Sequence, residues 1–237
     1  MDLAVKNTDV AMKMEHTAWG CAEDITLQDL VIPRLLLQQQ MSPLVVDEKA
    51  KAGDWVETLE KRKLAGAKDK LEVVMFHVKR SHGIFLNKNG QNRHIRTEPI
   101  DPAAPYEEET AEGTIQRSVQ WDFYCLPVKG IDEEIPMVLR LRRSSSDVAK
   151  RLMSAFAKAA KAGKSSANYV IELTHTKEKQ RDGNGTFMKP DFVVGRATTK
   201  DELAAAYGWY QTVTAGKGVM VQEEEEDVTP ADSIGGF

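Results

Sequence analysis

Basic residues interleaved with aromatic ones are the feature of this sequence with the clearest chemical use. Between Arg140 and Lys164 the chain carries eight basic residues and Asp147 as the single acid, which gives +7 over 25 residues. Such cations bind phosphates, and aromatic rings in the same segments offer surfaces on which bases stack for roughly 1–3 kcal/mol each. The combination is typical of a surface for single-stranded nucleic acid. The alternative interpretation of the basic helix in this segment is a solvated face.

The candidate phosphate ligands come from several predicted strands and one predicted helix. They are Lys79, Arg80, Arg93, Arg96, Arg140, Arg142, Arg143, Lys150, Arg151, Lys177, Lys179, Arg181 and Lys189. We predict that Tyr124 and Phe187 stack on bases, because their neighbours two positions away are polar. Trp121 shares the apolar face of its strand with Phe123 and is assigned to the core.

No enzymatic motif stands out in the sequence. It contains no GxxxxGK[ST] loop, no GxGxxG turn after a strand and no GxSxG elbow. The five histidines form no HExxH motif and no Cys/His cluster, and the acids concentrate in residues 98–112 and at the C-terminus, where they are solvated. We therefore predict a protein that is not an enzyme, with no catalytic residues, no metal and no cofactor.

The cysteines and the N-terminus bear on the compartment. Cys21 and Cys125 lie far apart and have no CxxC partner, which favours two reduced thiols over a disulfide scaffold or a zinc site. The N-terminus has no apolar signal region, and no apolar run approaches the ~20 residues needed to cross a bilayer. We expect a cytoplasmic protein, in the host cytoplasm if it is viral, with no membrane partner.

The elements that must position the basic residues are mostly short strands. Alternating or continuously apolar segments predict strands that include residues 71–80, 118–128, 135–143, 168–179 and 187–195, and Asn89-Gly90 predicts a hairpin turn. Pro190 is expected near an edge or a bulge. Three prolines and six acids in residues 97–114 predict a long loop.

Two helices complete the predicted fold. The first has apolar positions at helical spacing, begins at Ser146 or Asp147 and ends at Gly163. The second begins at Thr199, with Glu202 three residues later in the spacing of a capping box. The pattern favours an α+β fold that is mainly antiparallel β, either an OB-like barrel or a sandwich, with an inserted helix and a C-terminal helix.

The C-terminal segment differs in charge from the rest of the chain. Residues 223–237 contain no Lys or Arg and six acids, which are Glu223, Glu224, Glu225, Glu226, Asp227 and Asp232. The chain has 32 basic and 36 acidic residues, so without these six the net charge changes from -4 to about +2. We predict a flexible arm (1–24), a single β-rich nucleic-acid-binding domain (25–216) and a disordered acidic tail (217–237).

An acidic tail that ends on Phe237 has a specific physical use. It can lie on the protein's own basic groove and compete with nucleic acid, and it is then released when nucleic acid binds. The terminal ring and carboxylate can dock in a basic-rimmed apolar pocket of a partner. The alternative interpretation is a segment that only improves solubility.

The ending Glu223–Asp227, Asp232 and Gly235-Gly236-Phe237 resembles the acidic C-termini of single-stranded DNA-binding proteins of bacteria and short-tailed phages. In those families the tail recruits a polymerase, a helicase or nucleases and modulates DNA affinity. The segments IPRLLLQQQMSPLV and THTKEKQRDGNGTFMKPDF resemble phage-encoded single-stranded DNA-binding proteins. The resemblance implies an OB-type barrel, a role in DNA replication or recombination, and no cofactor.

The leading hypothesis is binding of single-stranded DNA without strong sequence preference, with replication or recombination proteins as partners of the tail. The sequence leaves homo-oligomerisation and the choice between DNA and RNA open. One alternative is a phage interaction or structural protein, such as an inhibitor of a host enzyme or a minor virion component, that uses IPRLLLQQQ as an apolar contact surface. The other is an unrecognised nucleic-acid enzyme.

Overall fold

The structure is a computed structural model that describes residues 31–88, 91–129, 135–179, 185–215 and 220–221. The predicted arm, Arg181 and the acids and Phe237 of the predicted tail lie outside these ranges. The elements in chain order are β1 (Val31–Ile32), β2 (Leu35–Leu37), α1 (Pro43–Val46), β3 (Trp55–Glu57), β4 (Lys63–Ala65), β5 (Leu71–Lys88), β6 (Gln91–Pro99), β7 (Glu107–Thr110), β8 (Gly113–Pro127), β9 (Met137–Arg142), α2 (Ser146–Lys161), β10 (Tyr169–Lys179), β11 (Thr186–Ala197), α3 (Lys200–Ala215) and β12 (Met220–Val221).

The main sheet is built on two long antiparallel strands, β5 and β8, which pair from Val73 opposite Pro127 to Asn87 opposite Thr114. At one end of this pair, β10 and then β11 extend the sheet beyond β5, and β9 lies beside β8. At the other end, β6 lies beside β5 and β7 beside β8. The observed fold is therefore α+β with mainly antiparallel sheets, as predicted.

Both faces of the main sheet are covered. Val73 and Met75 belong to a core cluster with Val148 and Leu152 of α2, whereas Val74 and Phe76 belong to a second cluster on the other face with Ala206 of α3. The predicted strand at residues 71–80 is confirmed, and over residues 73–76 its side chains alternate between the two clusters. The helices α2 and α3 therefore lie on opposite faces of one sheet.

A small sheet of β2, β3 and β4 packs on the face that carries α2, where Leu35 and Trp55 join the core. It meets β9 at a single bridge between Arg34 and Val138. It meets β11 through the side chain of Gln39, which donates to the Met188 carbonyl at 2.9 Å and accepts the Met188 N–H at 2.8 Å. Ladder pairing among the described strands does not close a barrel.

Both predicted helices are present, with one difference at a helix start. The N-cap of α2 is Ser145, whose side chain makes no capping bond, so the prediction of a cap at Ser146 or Asp147 is wrong. Gly163 follows the helix with a φ of +70°, a conformation that glycine adopts without steric cost. At α3 the capping box is confirmed, because Glu202 N–H donates to Thr199 Oγ1 and Thr199 N–H donates to Glu202 Oε2.

The long loop predicted for residues 97–114 is wrong over half of its length. β6 continues to Pro99, β7 occupies Glu107–Thr110, and β8 begins at Gly113. The acids fit a strand here because β7 is an exposed edge strand that needs no apolar face. The carboxylates of Glu107, Glu108 and Glu109 accept hydrogen bonds from β8, and charged edges of this kind resist pairing with other chains.

Candidate nucleic-acid interface

An open groove of about 690 Å³ lies between α2 and the adjoining strands β10 and β11. The α2 wall carries the cations Lys150, Arg151 and Lys158. The opposite wall is an aromatic ring and two aliphatic side chains, contributed by Tyr169, Ile171 and Val194. We call this feature the α2 groove. It joins positive charge to apolar surface within one cleft.

The periodicity of α2 explains why its cations line the groove. Val148, Ala149 and Leu152 are buried against the main sheet, which sets the rotation of the helix about its axis. Positions 151 and 158 are seven residues apart and therefore lie on the same flank of the helix. The side chains of Arg151 and Lys158 are both exposed, so two basic residues from the same side of α2 line the cleft.

Two ion pairs join α2 to the edge strand β11. Arg151 lies 2.7 Å from the carboxylate of Asp191, with its guanidinium 5.3 Å from the ring centroid of Phe192. Lys189 lies 3.1 Å from Asp147 and 3.3 Å from a second carboxylate, Glu178. Burial opposes the charge of Lys189, but hydrogen bonds to Asp147 and Glu178 outweigh it and raise the pKa of Lys189. Lys189, a predicted phosphate ligand, thus stays charged, and its charge is balanced by carboxylates of the protein itself.

Tyr169 marks one end of the groove, beside a further cation. Lys164 Nζ lies 5.3 Å from the centroid of the Tyr169 ring and 3.2 Å from its hydroxyl oxygen. Sequence reasoning placed both residues in the right segments but singled out neither as a site residue. The signal that could have found them is the short interval between the end of α2 and β10, which forces the last lysines of the helix next to the first ring of the strand.

Two predicted site residues are in the interior. Tyr124 is 5% exposed and packs against the rings of Phe76 and His77, so the prediction that it presents its ring at the surface is wrong. Burial, followed by the charge of Asp122, raises the pKa of Tyr124. Arg140 forms a two-point ion pair with Asp122 at 2.7 and 2.9 Å, in which both side chains are nearly inaccessible.

The other predicted residues lie away from the α2 groove. Arg142 and Arg143 place their guanidinium groups 5.2 and 3.9 Å from the centroid of the buried Phe85 ring. Four more are on β5 and β6, namely Lys79, Arg80, Arg93 and Arg96. Of these, Arg80 lies 5.9 Å from the Trp121 ring centroid, and Arg96 forms an ion pair with Glu98.

The distal parts of β10 and β11 carry the remaining candidates. Lys177 and Lys179 are exposed on β10, and Phe187 is half-buried on β11, opposite Glu178 in the ladder. These residues border neither Tyr169 nor Lys158. The structure therefore brings together Lys150 and Arg151 of the predicted set.

The described ranges contain neither a candidate metal site nor a candidate membrane-spanning helix. No group of three or more His, Cys, Asp or Glu side chains there could hold a metal ion. No helix in this part of the chain combines the length and the apolar character that crossing a membrane requires.

The sequence also matches a family of known proteins. A family model described as Pam3 phage gp34-like protein matches residues 4–219. The chain belongs to this family. The match supports a phage origin, and as a Pam3 phage gp34-like family member the protein carries its whole α2 groove within the matched region. Comparisons with curated proteins and with solved structures give no match.

Proposed function

We propose that this protein binds single-stranded nucleic acid in the α2 groove, without strong sequence preference. The observation that carries the proposal is the composition of the cleft, with Lys150, Arg151 and Lys158 on one wall and Tyr169, Ile171 and Val194 on the other. Phosphates pair with Lys150 and Lys158, beside the Arg151–Asp191 pair, and unpaired bases contact the Tyr169 ring and the exposed Val194 side chain. Every base has an aromatic face, so this mode of contact tolerates any sequence.

The same composition favours a single strand over a duplex. In a duplex the base faces are stacked on each other and unavailable to Tyr169, so a duplex gains only the phosphate contacts. The backbone of a single strand can turn its bases toward the apolar wall while its phosphates stay on the α2 side. Single strand and duplex therefore share the electrostatic attraction of the phosphates, and the single strand gains base stacking and burial in addition.

The role in phage DNA replication or recombination, the recruitment of partner proteins by the acidic tail, and an OB-type architecture remain predictions from the sequence. The α2 groove does not depend on them. The alternative of an interaction protein loses its suggested contact surface, because Ile32 and Leu35 of the IPRLLLQQQ segment are buried in the core. Loss of that surface strengthens the case for testing nucleic acid first.

Fluorescence anisotropy with labelled oligo-dT and a matched duplex tests the proposal at two salt concentrations. We expect tighter binding to the single strand and an affinity that falls steeply with salt, because cation–phosphate contacts release counterions. Binding that ignores salt, or equal binding of duplex and single strand, would contradict it. No binding at all would favour the interaction protein that does not bind DNA.

Substitutions locate the binding to the groove. Lys158→Ala should weaken binding of all sequences alike and reduce the slope of log affinity against log salt by about 1. Tyr169→Leu keeps the apolar bulk but removes the aromatic face, and should cost roughly tenfold or more in oligo-dT affinity with little change in salt slope. Lys68→Ala, which removes an exposed lysine from the turn between β4 and β5, is the matched control and should bind like the wild type.

A further inference from the structure

A second aromatic surface lies on α3, on the face of the main sheet opposite α2. Tyr207 and Tyr210 are 59% and 41% exposed, although most large side chains on this helix pack against the sheet. Their rings lie 6.5 Å apart between centroids and 23° apart in plane, so they form one stacked surface. Neither tyrosine belongs to the two apolar core clusters.

One cation, Lys200, lies on the same side of α3 as the Tyr207 ring. Lys200 and Tyr207 are seven residues apart and both exposed, so they lie on the same side of the helix, roughly 10 Å apart along its axis. Gln211 donates a hydrogen bond to the Tyr207 hydroxyl. The surface thus offers a cation for a phosphate, followed by rings for bases.

The base of this surface is also aromatic and basic. The ring of His77 on β5 lies 6.0 Å from that of Tyr210, and Lys79 follows two residues later on the same strand. Burial, followed by the charge of Lys79, lowers the pKa of His77, so His77 is neutral at pH 7. Lys79 is exposed and supplies the second cation.

The α3 surface is connected to the α2 groove. Tyr169, which ends the groove, pairs in the ladder with Ala197, and α3 begins three residues later at Lys200. Thr198 fastens this junction by donating its hydroxyl to the Ala167 carbonyl and its N–H to the Asn168 carbonyl. The end of the groove at Tyr169 is therefore joined to the start of α3 by one ladder pair and a three-residue connection, which a bound strand can follow.

We propose that Tyr207 and Tyr210, with Lys200 and Lys79, form a second contact for the same nucleic acid strand that occupies the α2 groove. This inference rests on the proposed function and specifies the path of the ligand, which turns over the sheet at the junction of Tyr169 and Ala197. Short oligonucleotides fill the groove alone, and longer ones reach the rings of α3. The combination of two cations with two exposed rings suits a polyanion with aromatic bases better than an aliphatic or acidic protein segment.

The test is the length dependence of binding by anisotropy, with oligo-dT of about six and about sixteen nucleotides, within the range of site sizes of such proteins. For the Tyr207→Ala/Tyr210→Ala double variant we expect unchanged affinity for the short oligonucleotide. For the long one we expect a loss of about tenfold, from stacking on one or two bases. Tyr106→Ala is the matched control, since Tyr106 is 60% exposed just before β7, and it should change neither affinity.

A long-oligonucleotide affinity equal to wild type in the double variant would overturn this proposal while leaving the α2 groove in place. Failure of wild type to bind either length would overturn both. Lys200→Ala provides a second route if the double variant unfolds. It should reduce the salt slope for the long oligonucleotide by about 1 and leave the short one unaffected; an unchanged slope for the long oligonucleotide would count against the path.

Discussion

At the scale of single residues, the polar side chains of β8 show that buried residues can follow the sequence pattern of a half-exposed strand. Gln120 and Asp122 alternate with Trp121 and Phe123, which is the usual pattern of a strand with one face in water. In the structure Gln120 is fully buried and donates to the Ser81 hydroxyl, and Asp122 is paired with Arg140. The face is buried rather than solvated, and its polar groups are paired within the protein except for Gln120 Oε1, which is buried without a hydrogen-bond partner.

Substitution of Asp122 tests this assignment. Asp122→Ala leaves the Arg140 guanidinium nearly inaccessible without its carboxylate, and should lower the free energy of unfolding by about 3–5 kcal/mol. The control is Glu98→Ala, which breaks the exposed pair with Arg96 and should cost about 1 kcal/mol or less. Urea unfolding measures both. Equal effects of the two variants would mean that the Asp122–Arg140 pair is solvated like a surface pair.

The buried pair also explains why site residues were only partly predictable. Arg140 and Lys150 belong to one basic segment and look equivalent in sequence. In the structure Arg140 forms an ion pair with Asp122, 18 positions earlier, whereas Lys150 lines the groove. The partner of a cation depends on strand register, which no local pattern encodes. Tyr124 was mispredicted because α3 covers its face of β8, which is a tertiary contact that no local pattern encodes either.

At the scale of elements, helices and strands with local signals were predictable and the β7–β8 hairpin was not. The capping box at Thr199 and the glycine at 163 act within a few residues, so the sequence is sufficient to place the start of α3 and the end of α2. β7 has no apolar periodicity, and it exists because β8 provides a partner strand. Strand formation there is a tertiary effect.

Substitution of two glycines by alanine is expected to have opposite effects on the free energy of unfolding. Gly113 turns the chain from β7 into β8 with a φ of +146°, and a Cβ there would clash with the backbone carbonyl oxygen of Asn87. Gly113→Ala should therefore lower the free energy of unfolding by at least about 1 kcal/mol. Gly208→Ala in α3 meets no atom within 4 Å and should raise it by up to about 1 kcal/mol through helix propensity.

Thermal or urea unfolding of the two glycine variants gives the comparison directly. Both changes add one methyl group. Opposite signs of the change in the free energy of unfolding would therefore reflect the local backbone conformation and not the type of substitution. Stabilisation by Gly113→Ala would mean that the turn between β7 and β8 is looser than described.

At the scale of the whole molecule, charge is divided between the body and the C-terminal segment. With residues 223–237 removed, the net charge changes from -4 to about +2. Cations on α2 and α3 then face solution without the competing acids. The proposed function and the division of charge therefore predict that the segment weakens nucleic-acid binding.

Deletion of residues 223–237 should tighten oligo-dT binding several-fold at low salt, and the gain should shrink as salt rises because screening weakens the acids. A variant of full length with Gln and Asn in place of the six acids is the control and should bind like the deletion. Weaker binding by the deletion would show that the segment assists the ligand instead of competing with it.

The two-residue ladder between β1 and β12 has a geometric consequence. Val31 pairs with Met220 and Ile32 with Val221, so the polypeptide that follows residue 221 departs from a point anchored beside β1. Fully extended, the 16 residues from 222 to 237 span at most roughly 55 Å, against a radius of gyration of about 16 Å for a domain of this size. A tether of that length is long enough for Phe237 to reach either face of the sheet, so the proposed competition between the acidic segment and nucleic acid requires only one copy of the chain.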